Sequence, residues 1–377
     1  MSSEAAGGEA AASEAAASAA AGNEAAAREA AALDPPRAHG APLGRGRLRV
    51  EPEDFIVEEL LGFEPAGTGQ HVLLRVRKRD ANTQWIAREL ARVCGCSERD
   101  VGYAGMKDRR AVATQWFTVP QSKIPPEDWA GRGSASGEYE VLEAHRHSRK
   151  LPRGALAGNR FVIRIRGTAV DDASLASRIA TVEIRGVPNY FGPQRFGKGG
   201  SNLKRIGANV RALAPSERGF ILSAARSLVF NAVLAERVGD GSWERFEPGD
   251  LANLDGRASH FRVETVDEAI GERSARLDIH PTGPLWGHGA PPSSGRVLEL
   301  EQRVAAGLAA ACQLVERAGM DQERRSLRLA VRDLSWRRDA DDADSIIVEL
   351  RLSRGAYATV VLRELFELDA DYDESST

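Results

Sequence analysis

Apolar and polar residues alternate along several stretches in the first half of the chain, a period typical of β-strands that bury one face. The alternation predicts strands in four segments: RLRVEPEDFIVEEL (47–60), GQHVLLRVRKRD (69–80), VGYAGMKDRRAVATQWFTVP (101–120) and GEYEVLEAHRHSRKLPRGALAGNRFVIRIRG (137–167). Between the second and the third, NTQWIARELARVCG has apolar positions at helical spacing, with Asn82 or Thr83 as N-cap and Gly95 as the stop.

The second half of the chain has a different pattern. Long helical runs occupy RGFILSAARSLVFNAVLAERVG (218–239) and RVLELEQRVAAGLAAACQLVERAG (296–319). Residues 334–368 then return to two strands and a final helix. Strands followed by a helical block and by further strands indicate an α+β domain interrupted by an insertion.

Domain boundaries follow from these changes in pattern and composition. The predicted segments are an alanine-rich tail and linker (1–43), a first part of the core (44–187), an insertion (188–336), a second part of the core (337–370) and an acidic tail (371–377). Residues 1–32 are about half alanine and contain no aromatic residue. Such a segment buries little apolar surface, so we expect it to be disordered or transiently helical, with structure beginning near Leu48.

Charge is distributed unevenly. The whole chain has a formal net charge of −3, yet residues 1–32 carry −4 and residues 367–377 carry −5, which leaves +6 between them. A basic body is typical of a protein that binds nucleic acid. The N-terminus lacks a signal-peptide pattern, and no uninterrupted apolar run approaches the roughly 20 residues that span a membrane, so we expect a cytoplasmic protein that binds no membrane.

Metal and redox chemistry find little support. The three cysteines, Cys94, Cys96 and Cys312, provide neither a disulfide framework nor a second ligand pair for zinc. The seven histidines show no metal-binding spacing. We therefore expect no metal and no cofactor.

The stretch GYAGMKDRRAVATQW (102–116) contains the first candidate for chemistry. Asp108 lies on a predicted turn between Lys107 and the pair Arg109 and Arg110. Most aspartates in such places are hydrogen-bonding turn residues. Neighbouring cations, however, favour an ionised carboxylate and attract phosphate, which suits an acid that acts on a nucleotide.

Two further stretches resemble RNA-binding surfaces. HRHSRKLPRGALAGNRF (145–161) is strongly basic, and Asn159 and Phe161 would share one face of a strand. An amide beside an aromatic ring suits the edge and the plane of an extruded base, although a solvated charged loop is the alternative. GVPNYFGPQRFGKGGSNLKRIG (186–207) interleaves aromatic and basic residues, including Lys198 and Lys204, and lacks the order of a Walker A loop.

Taken together, these stretches resemble the TruD family of tRNA pseudouridine synthases. The resemblance is carried by EPEDFIVEELLGFEPAGTGQHVLLRVRKRDANT, YAGMKDRRAVATQWF, HSRKLPRGALAGNRF, VPNYFGPQRFG, SAARSLVFN and GAYATVVLREL. It covers nearly everything from residue 44 to residue 372. It implies a pseudouridine-synthase catalytic core with a mixed, largely antiparallel sheet, an inserted α+β domain, and isomerisation of uridine 13 of tRNA without any cofactor.

The resemblance also implies roles for single residues. Asp108 falls on the catalytic aspartate of the family's A-G-x-K-D motif, and Phe55, Asn159 and Tyr357 fall on positions that contact the target nucleotide. The family usually has Phe where this chain has Tyr357. Phe161 falls where the family uses an aromatic residue to stack on uracil.

The implied reaction breaks the glycosidic bond, rotates the bound uracil and rejoins it through carbon. The carboxylate either attacks C1′ or removes the C2′ proton, and both roles require its ionised form. Arg49 is our candidate for the cation beside it, with Lys107 as a second supporting residue. The alternative function is an RNA-binding protein without catalysis; the expected partner in either case is RNA, tRNA for the enzyme, and no obligatory protein partner is implied.

Overall fold

The computed structural model describes residues 26–121, 124–206, 212–257 and 259–369. The chain forms two compact units. One, here called the sheet unit, comprises residues 41–184 and 330–377. The other, here called the insertion unit, comprises residues 1–40 and 185–329. The chain thus leaves the sheet unit once, after residue 184, and returns to it at residue 330.

The described residues form the following strands and α-helices. The strands are β1 (Arg45–Leu48), β2 (Phe55–Leu60), β3 (His71–Arg79), β4 (Gly102–Tyr103), β5 (Val112–Pro120), β6 (Tyr139–His147), β7 (Gly158–Arg166), β8 (Val187–Pro188), β9 (Leu251–Leu254), β10 (His260–Arg262), β11 (Ile279–Leu285), β12 (Glu323–Ser326), β13 (Arg328–Leu329), β14 (Arg332–Arg338), β15 (Ile346–Ser353) and β16 (Glu367–Leu368). The helices are α1 (26–33), α2 (Thr83–Cys94), α3 (Asp172–Arg185), α4 (Pro215–Gly239), α5 (Glu268–Ala275), α6 (Gly295–Gly307), α7 (Ala309–Arg317) and α8 (Ala358–Leu362).

A ten-stranded sheet organises the sheet unit. Its main path runs β14-β15-β7-β2-β5-β3-β6, with β1, β4 and β16 attached to its sides. The pairs β2/β5 and β1/β16 are parallel, and the other pairs are antiparallel. The prediction of an α+β fold with a mixed, largely antiparallel sheet is confirmed.

One face of this sheet is closed by α2. Asn82 caps the helix by accepting a hydrogen bond from the backbone of Gln84, and Gly95 ends it at φ +73°, a left-handed conformation that favours glycine. Ile86 and Leu90 are fully buried against the apolar residues of β3 and β5. The resulting core fixes the strand ends on which the candidate site is built.

The insertion unit contains a small four-stranded sheet, ordered β10-β9-β11-β12, and the two-stranded pair β13-β8. Its longest helix is α4. Within the described residues, Glu217–Gly239 is the one segment apolar and long enough to cross a membrane by length and composition, and most of it is buried inside this unit. Such burial is typical of a core helix that is apolar all round.

Two features differ from the expected segment boundaries. The predicted insertion end at residue 336 falls inside β14, which pairs with β15 in the large sheet. β14 is an edge strand with few buried positions, so its sequence has a weak apolar signal. The expectation that structure begins near Leu48 was wrong, because residues 26–33 are helical and Ala32 is buried. An alanine helix can pack closely despite its low apolar area, and the Ala32 carbonyl accepts a hydrogen bond from Asn231.

Candidate active site

Two neighbouring strands bring the predicted substrate-binding residues onto one face of the sheet. Antiparallel pairing of β2 with β7 sets Phe55 opposite Ile163, Val57 opposite Phe161 and Glu59 opposite Asn159. Directly opposed residues on paired strands point to the same face. Phe55 and Phe161 accordingly meet edge to face, with ring centroids 5.9 Å apart at 71°.

Asp108 lies on the turn between β4 and β5, at the end of the sheet where β2 begins. Its side chain is 40% exposed, so a ligand can reach it. The guanidinium of Arg49 forms an ion pair with its Oδ2, and the Arg49 side chain is only 5% exposed. The same guanidinium lies 4.1 Å from the centroid of the Phe55 ring. Arg49 therefore links the carboxylate to the aromatic pair by a charge contact and a cation–π contact.

Lys78, on β3, holds the same turn through hydrogen bonds to its backbone. Its ammonium is buried and donates hydrogen bonds to the carbonyl oxygens of Ala81 and Asp108, each at 2.7 Å. Burial lowers the pKa of Lys78 to about 8, opposed by the attraction of Asp108 and Asp80 and reinforced by repulsion from Lys107. The backbone of the aspartate is thus fixed by a lysine on the neighbouring strand.

Lys107 has a different partner from Asp108. Its ammonium lies 2.6 Å from Glu59 Oε1, in an ion pair whose side chains are 10% and 0% exposed. Glu59 also accepts a hydrogen bond from the backbone N–H of Trp116 at 2.9 Å, and Thr83 accepts one from the backbone N–H of Lys107 at 3.1 Å. Lys107 thus anchors the turn to β2 and α2 and does not contact the Asp108 carboxylate through any of these bonds.

Asn159 and Tyr357 complete the set implied by the resemblance. Asn159 is 8% exposed, and its buried Oδ1 has no hydrogen-bond partner among the described residues. A buried amide oxygen without a partner costs free energy, which a ligand that donates a hydrogen bond would recover. Tyr357 is half-buried at the N-cap of α8, which follows the end of β15.

The four predicted RNA-backbone residues lie at the surface. Arg109 is half exposed and 3.7 Å from Asp80, whereas Arg110 donates a hydrogen bond to the Val50 carbonyl at 2.5 Å. Lys198 and Lys204 are exposed on short 3-10 turns of the insertion unit. The two arginines directly follow Asp108 in the sheet unit, and the two lysines belong to the insertion unit.

Sequence reasoning missed Glu59 and Lys78, although the pattern contains a signal for both. In β2, Glu59 continues the buried series Phe55 and Val57, and in β3, Lys78 continues the buried series Val72, Leu74 and Val76. A charge at an inward position of an alternating strand must be paired or hydrogen-bonded. Extending each alternation to its next inward position would have predicted that both charged side chains are buried and therefore have partners.

The arrangement presents a reachable carboxylate next to a buried cation, an aromatic pair and an unpartnered amide. Among the described residues, no group of three or more His, Cys, Asp and Glu could hold a metal ion. Burial raises the pKa of Cys96 and Cys312 to about 12, which suppresses their thiolate forms. The site is therefore built for a flat, polar ligand in contact with one carboxylate.

Comparison with known proteins gives a consistent result. The family model for tRNA pseudouridine synthase D (TruD) matches residues 39–217 and 209–365. The chain is 48% identical over 340 residues to tRNA pseudouridine synthase D of Methylococcus capsulatus, covering 89% of this chain and 95% of that protein. It is 46% identical over 328 residues to tRNA pseudouridine synthase D of Nitrosococcus oceani, covering 86% of this chain and 91% of that protein.

A solved structure has the same fold. The crystal structure of a tRNA pseudouridine synthase D from Methanosarcina mazei aligns with a TM-score of 0.67 at 21% identity, covering 88% of this chain and 95% of that one. The family model and the curated relatives span the sheet unit and the insertion unit alike. This chain therefore belongs to the tRNA pseudouridine synthase D (TruD) family.

Proposed function

We propose that this protein isomerises uridine to pseudouridine at position 13 of tRNA, with Asp108 as the catalytic carboxylate. The observation that carries the proposal is the contact of Asp108 with the buried guanidinium of Arg49, beside Phe55 and Phe161 on one face of the sheet. Family membership supports the reaction, because the relatives are named as tRNA pseudouridine synthases. The implied partner is tRNA, and the implied compartment is the cytoplasm.

Each side chain has a role in this proposal. The target uridine leaves its stack, which costs a few kcal/mol, and stacks on Phe161, which returns about 1–3 kcal/mol. Asn159 Oδ1 accepts a hydrogen bond from the uracil edge, since its acceptor has no partner among the described residues. Phe55 and Tyr357 bound the nucleotide on its other sides.

The carboxylate of Asp108 acts on the ribose, either as a nucleophile at C1′ or as a base at C2′. Arg49 holds the carboxylate in position and balances its charge. The C1′–N1 bond of the nucleoside breaks, the uracil turns while stacked, and its C5 joins C1′. The Asp108 carboxylate is then regenerated, since it gives up its bond to C1′ or returns the proton to C2′, and the proton that C5 loses is balanced by the one that N1 gains. Atoms and electrons balance within the substrate, so the isomerisation consumes no co-substrate. In this proposal the sheet unit performs the chemistry, and Lys198 and Lys204 of the insertion unit contact the RNA backbone.

The test is pseudouridine mapping by carbodiimide labelling and primer extension on unmodified tRNA. We expect wild-type protein to modify one D-arm uridine, Asp108→Asn to modify none while still binding tRNA, and Asp128→Asn to behave as wild type. Asp128 is a matched control because it is an exposed carboxylate elsewhere in the sheet unit. Tight tRNA binding without modification by wild-type protein would refute the proposal in favour of a non-catalytic RNA-binding protein.

A further inference from the structure

A separate pocket lies where β2 and β15 end and the antiparallel β7 begins. The paired residues at this edge are Leu60, Gly158 and Ser353, and the chain after β2, before β7 and after β15 lines an open pocket of about 490 Å³. That volume lies in the range of small-ligand sites. Asp108, Arg49 and the aromatic pair of the candidate active site do not line it.

Two stacked aromatic rings, Phe63 and His147, line this pocket and are here called the aromatic platform. Phe63 and His147 stack with ring centroids 5.3 Å apart and planes inclined by 25°. His147 is 6% exposed, whereas Phe63 is 36% exposed and so keeps ring surface available for a further partner. Burial, followed by the charge of Arg149 and the proximity of His71, lowers the pKa of His147, which keeps the imidazole neutral near pH 7.

The loop that carries Phe63 is held in place by backbone contacts. Ala66 donates its N–H to His147 Nδ1 at 3.3 Å, and Gly67 donates its N–H to the Arg146 carbonyl at 3.1 Å. Gly69 has φ +118°, and a Cβ there would lie 2.4 Å from the His147 carbonyl oxygen. The platform therefore exists before any ligand binds, which reduces the entropy cost of binding.

The charges around the platform favour an anion. Arg149 and Arg354 line the pocket and are exposed, and Glu64 is the one carboxylate among the described residues that line it. Arg354 donates a hydrogen bond to the Gly154 carbonyl at 3.2 Å, which orients its guanidinium at the rim. An exposed ring next to two arginines is the combination that single-stranded nucleic acid requires, with stacking for the base and charge for the phosphate.

The chain that lines the pocket leads within a few residues to the candidate active site, because Ala157 of the pocket lies two residues before Asn159. Asn159 follows Gly158 on β7, and Tyr357 is three residues beyond Arg354. We propose that this pocket binds a second unpaired nucleotide of the RNA substrate, close to the target uridine, with its base stacked on Phe63 and its phosphate on Arg354 and Arg149. The inference rests on the proposed function, because it takes tRNA as the ligand.

The test compares substitutions of Phe63 in the full chain carrying Asp108→Asn, so that tRNA binding is measured without turnover. We expect Phe63→Ala and Phe63→Leu to weaken binding of unmodified tRNA by about 5- to 150-fold, the range of one lost stacking contact. Phe63→Trp retains the ring and restores the affinity. Ile184→Ala, which truncates an apolar side chain that is 70% exposed on α3, leaves the affinity unchanged.

Two further readouts separate the pocket from general damage. Arg354→Gln reduces the slope of log affinity against log salt by about 0.7–0.9, the contribution of one phosphate. In the chain with Asp108 intact, Phe63→Leu raises KM for tRNA while the single-turnover rate at saturation stays within about twofold of wild type. That pattern differs from the one expected when the fold is damaged, in which the rate falls as well.

The inference is overturned if Phe63→Leu binds tRNA as tightly as wild type, or if Phe63→Trp fails to restore what Phe63→Leu loses. These results are independent of catalysis. If wild-type protein binds tRNA through Phe63 yet modifies no uridine, the proposed function fails and the nucleotide pocket stands. If wild-type protein does not bind tRNA, both fail.

Discussion

Replacement of Lys78 by methionine isolates the free energy of one buried charge next to the turn that carries Asp108. Lys78 is 1% exposed, and burial lowers its pKa to about 8, compared with 10.5 for an unhindered lysine. Each pH unit between the folded and unfolded values corresponds to about 1.4 kcal/mol, so the difference of about 2.5 pH units corresponds to roughly 3 kcal/mol. This energy is the cost of keeping the ammonium charged in the folded protein.

The sign follows from proton binding. Between about pH 8 and pH 10.5 the unfolded chain binds more protons at Lys78 than the folded chain. The free energy of unfolding of wild type therefore increases as the pH rises. Below pH 8 both states are charged and the full cost applies. A neutral amine still has two N–H donors, so the bonds to the Ala81 and Asp108 carbonyls persist at high pH.

The assay is guanidinium denaturation of wild type and Lys78→Met at several pH values from 7 to 10.5. Titrating groups that do not interact with Lys78 contribute equally to both proteins and cancel in the difference. We expect the unfolding free energy of wild type, relative to Lys78→Met, to rise by about 2–3 kcal/mol across this range. A difference independent of pH would refute the assignment of a lowered pKa to Lys78, and a difference that falls with pH would reverse its sign.

Two further predictions concern the packing around the site. Glu59→Leu leaves the largely buried ammonium of Lys107 without its partner at 2.6 Å, and we expect a loss of about 3–5 kcal/mol of stability, measured by denaturation. Glu59→Gln removes the charge but keeps a hydrogen-bond acceptor and should lose less, and a loss of no more than about 1 kcal/mol in Glu59→Leu, the size of an exposed pair, would argue against a buried ion pair. Gly158→Ala introduces a Cβ 2.2 Å from the Leu352 carbonyl oxygen. We expect it to lower the melting temperature and tRNA affinity together, whereas Gly271→Ala, at an exposed position of α5 where a Cβ meets nothing within 4 Å, should lower neither.

Much of the fold was predictable because several strands bury alternate residues over most of their length. β3 and β7 each bury every second residue over most of their length, and α2 has both its cap and its stop in the local sequence. β14 was harder, since an edge strand buries little. The order of strands in the sheet depends on pairing between distant segments, and alternation alone does not specify it.

The candidate site likewise has residues that the sequence predicts and residues that only the structure shows. The charged neighbours of Asp108 in the sequence indicate it as a candidate. Its structural support, however, comes from Lys78 on another strand and from Arg49, which adopts φ +56°. A positive φ at a residue other than glycine is not visible in a single sequence. The exposed ring of Phe63 was not distinguished either, because its significance depends on contact with His147 from a different strand.

The parallel pairing of β2 with β5 has a consequence for how the sequence tolerates change. Val57 pairs with Ala113, and parallel strands begin at the same edge, so Phe55 and Asp108 are brought together by where the two strands start. Insertions in the segment that connects β2 to β5 would leave the first residues of both strands in place. Deletion of one residue within β2 would turn Phe55 to the opposite face of the sheet. The location of the site is therefore robust to loop length and sensitive to strand register.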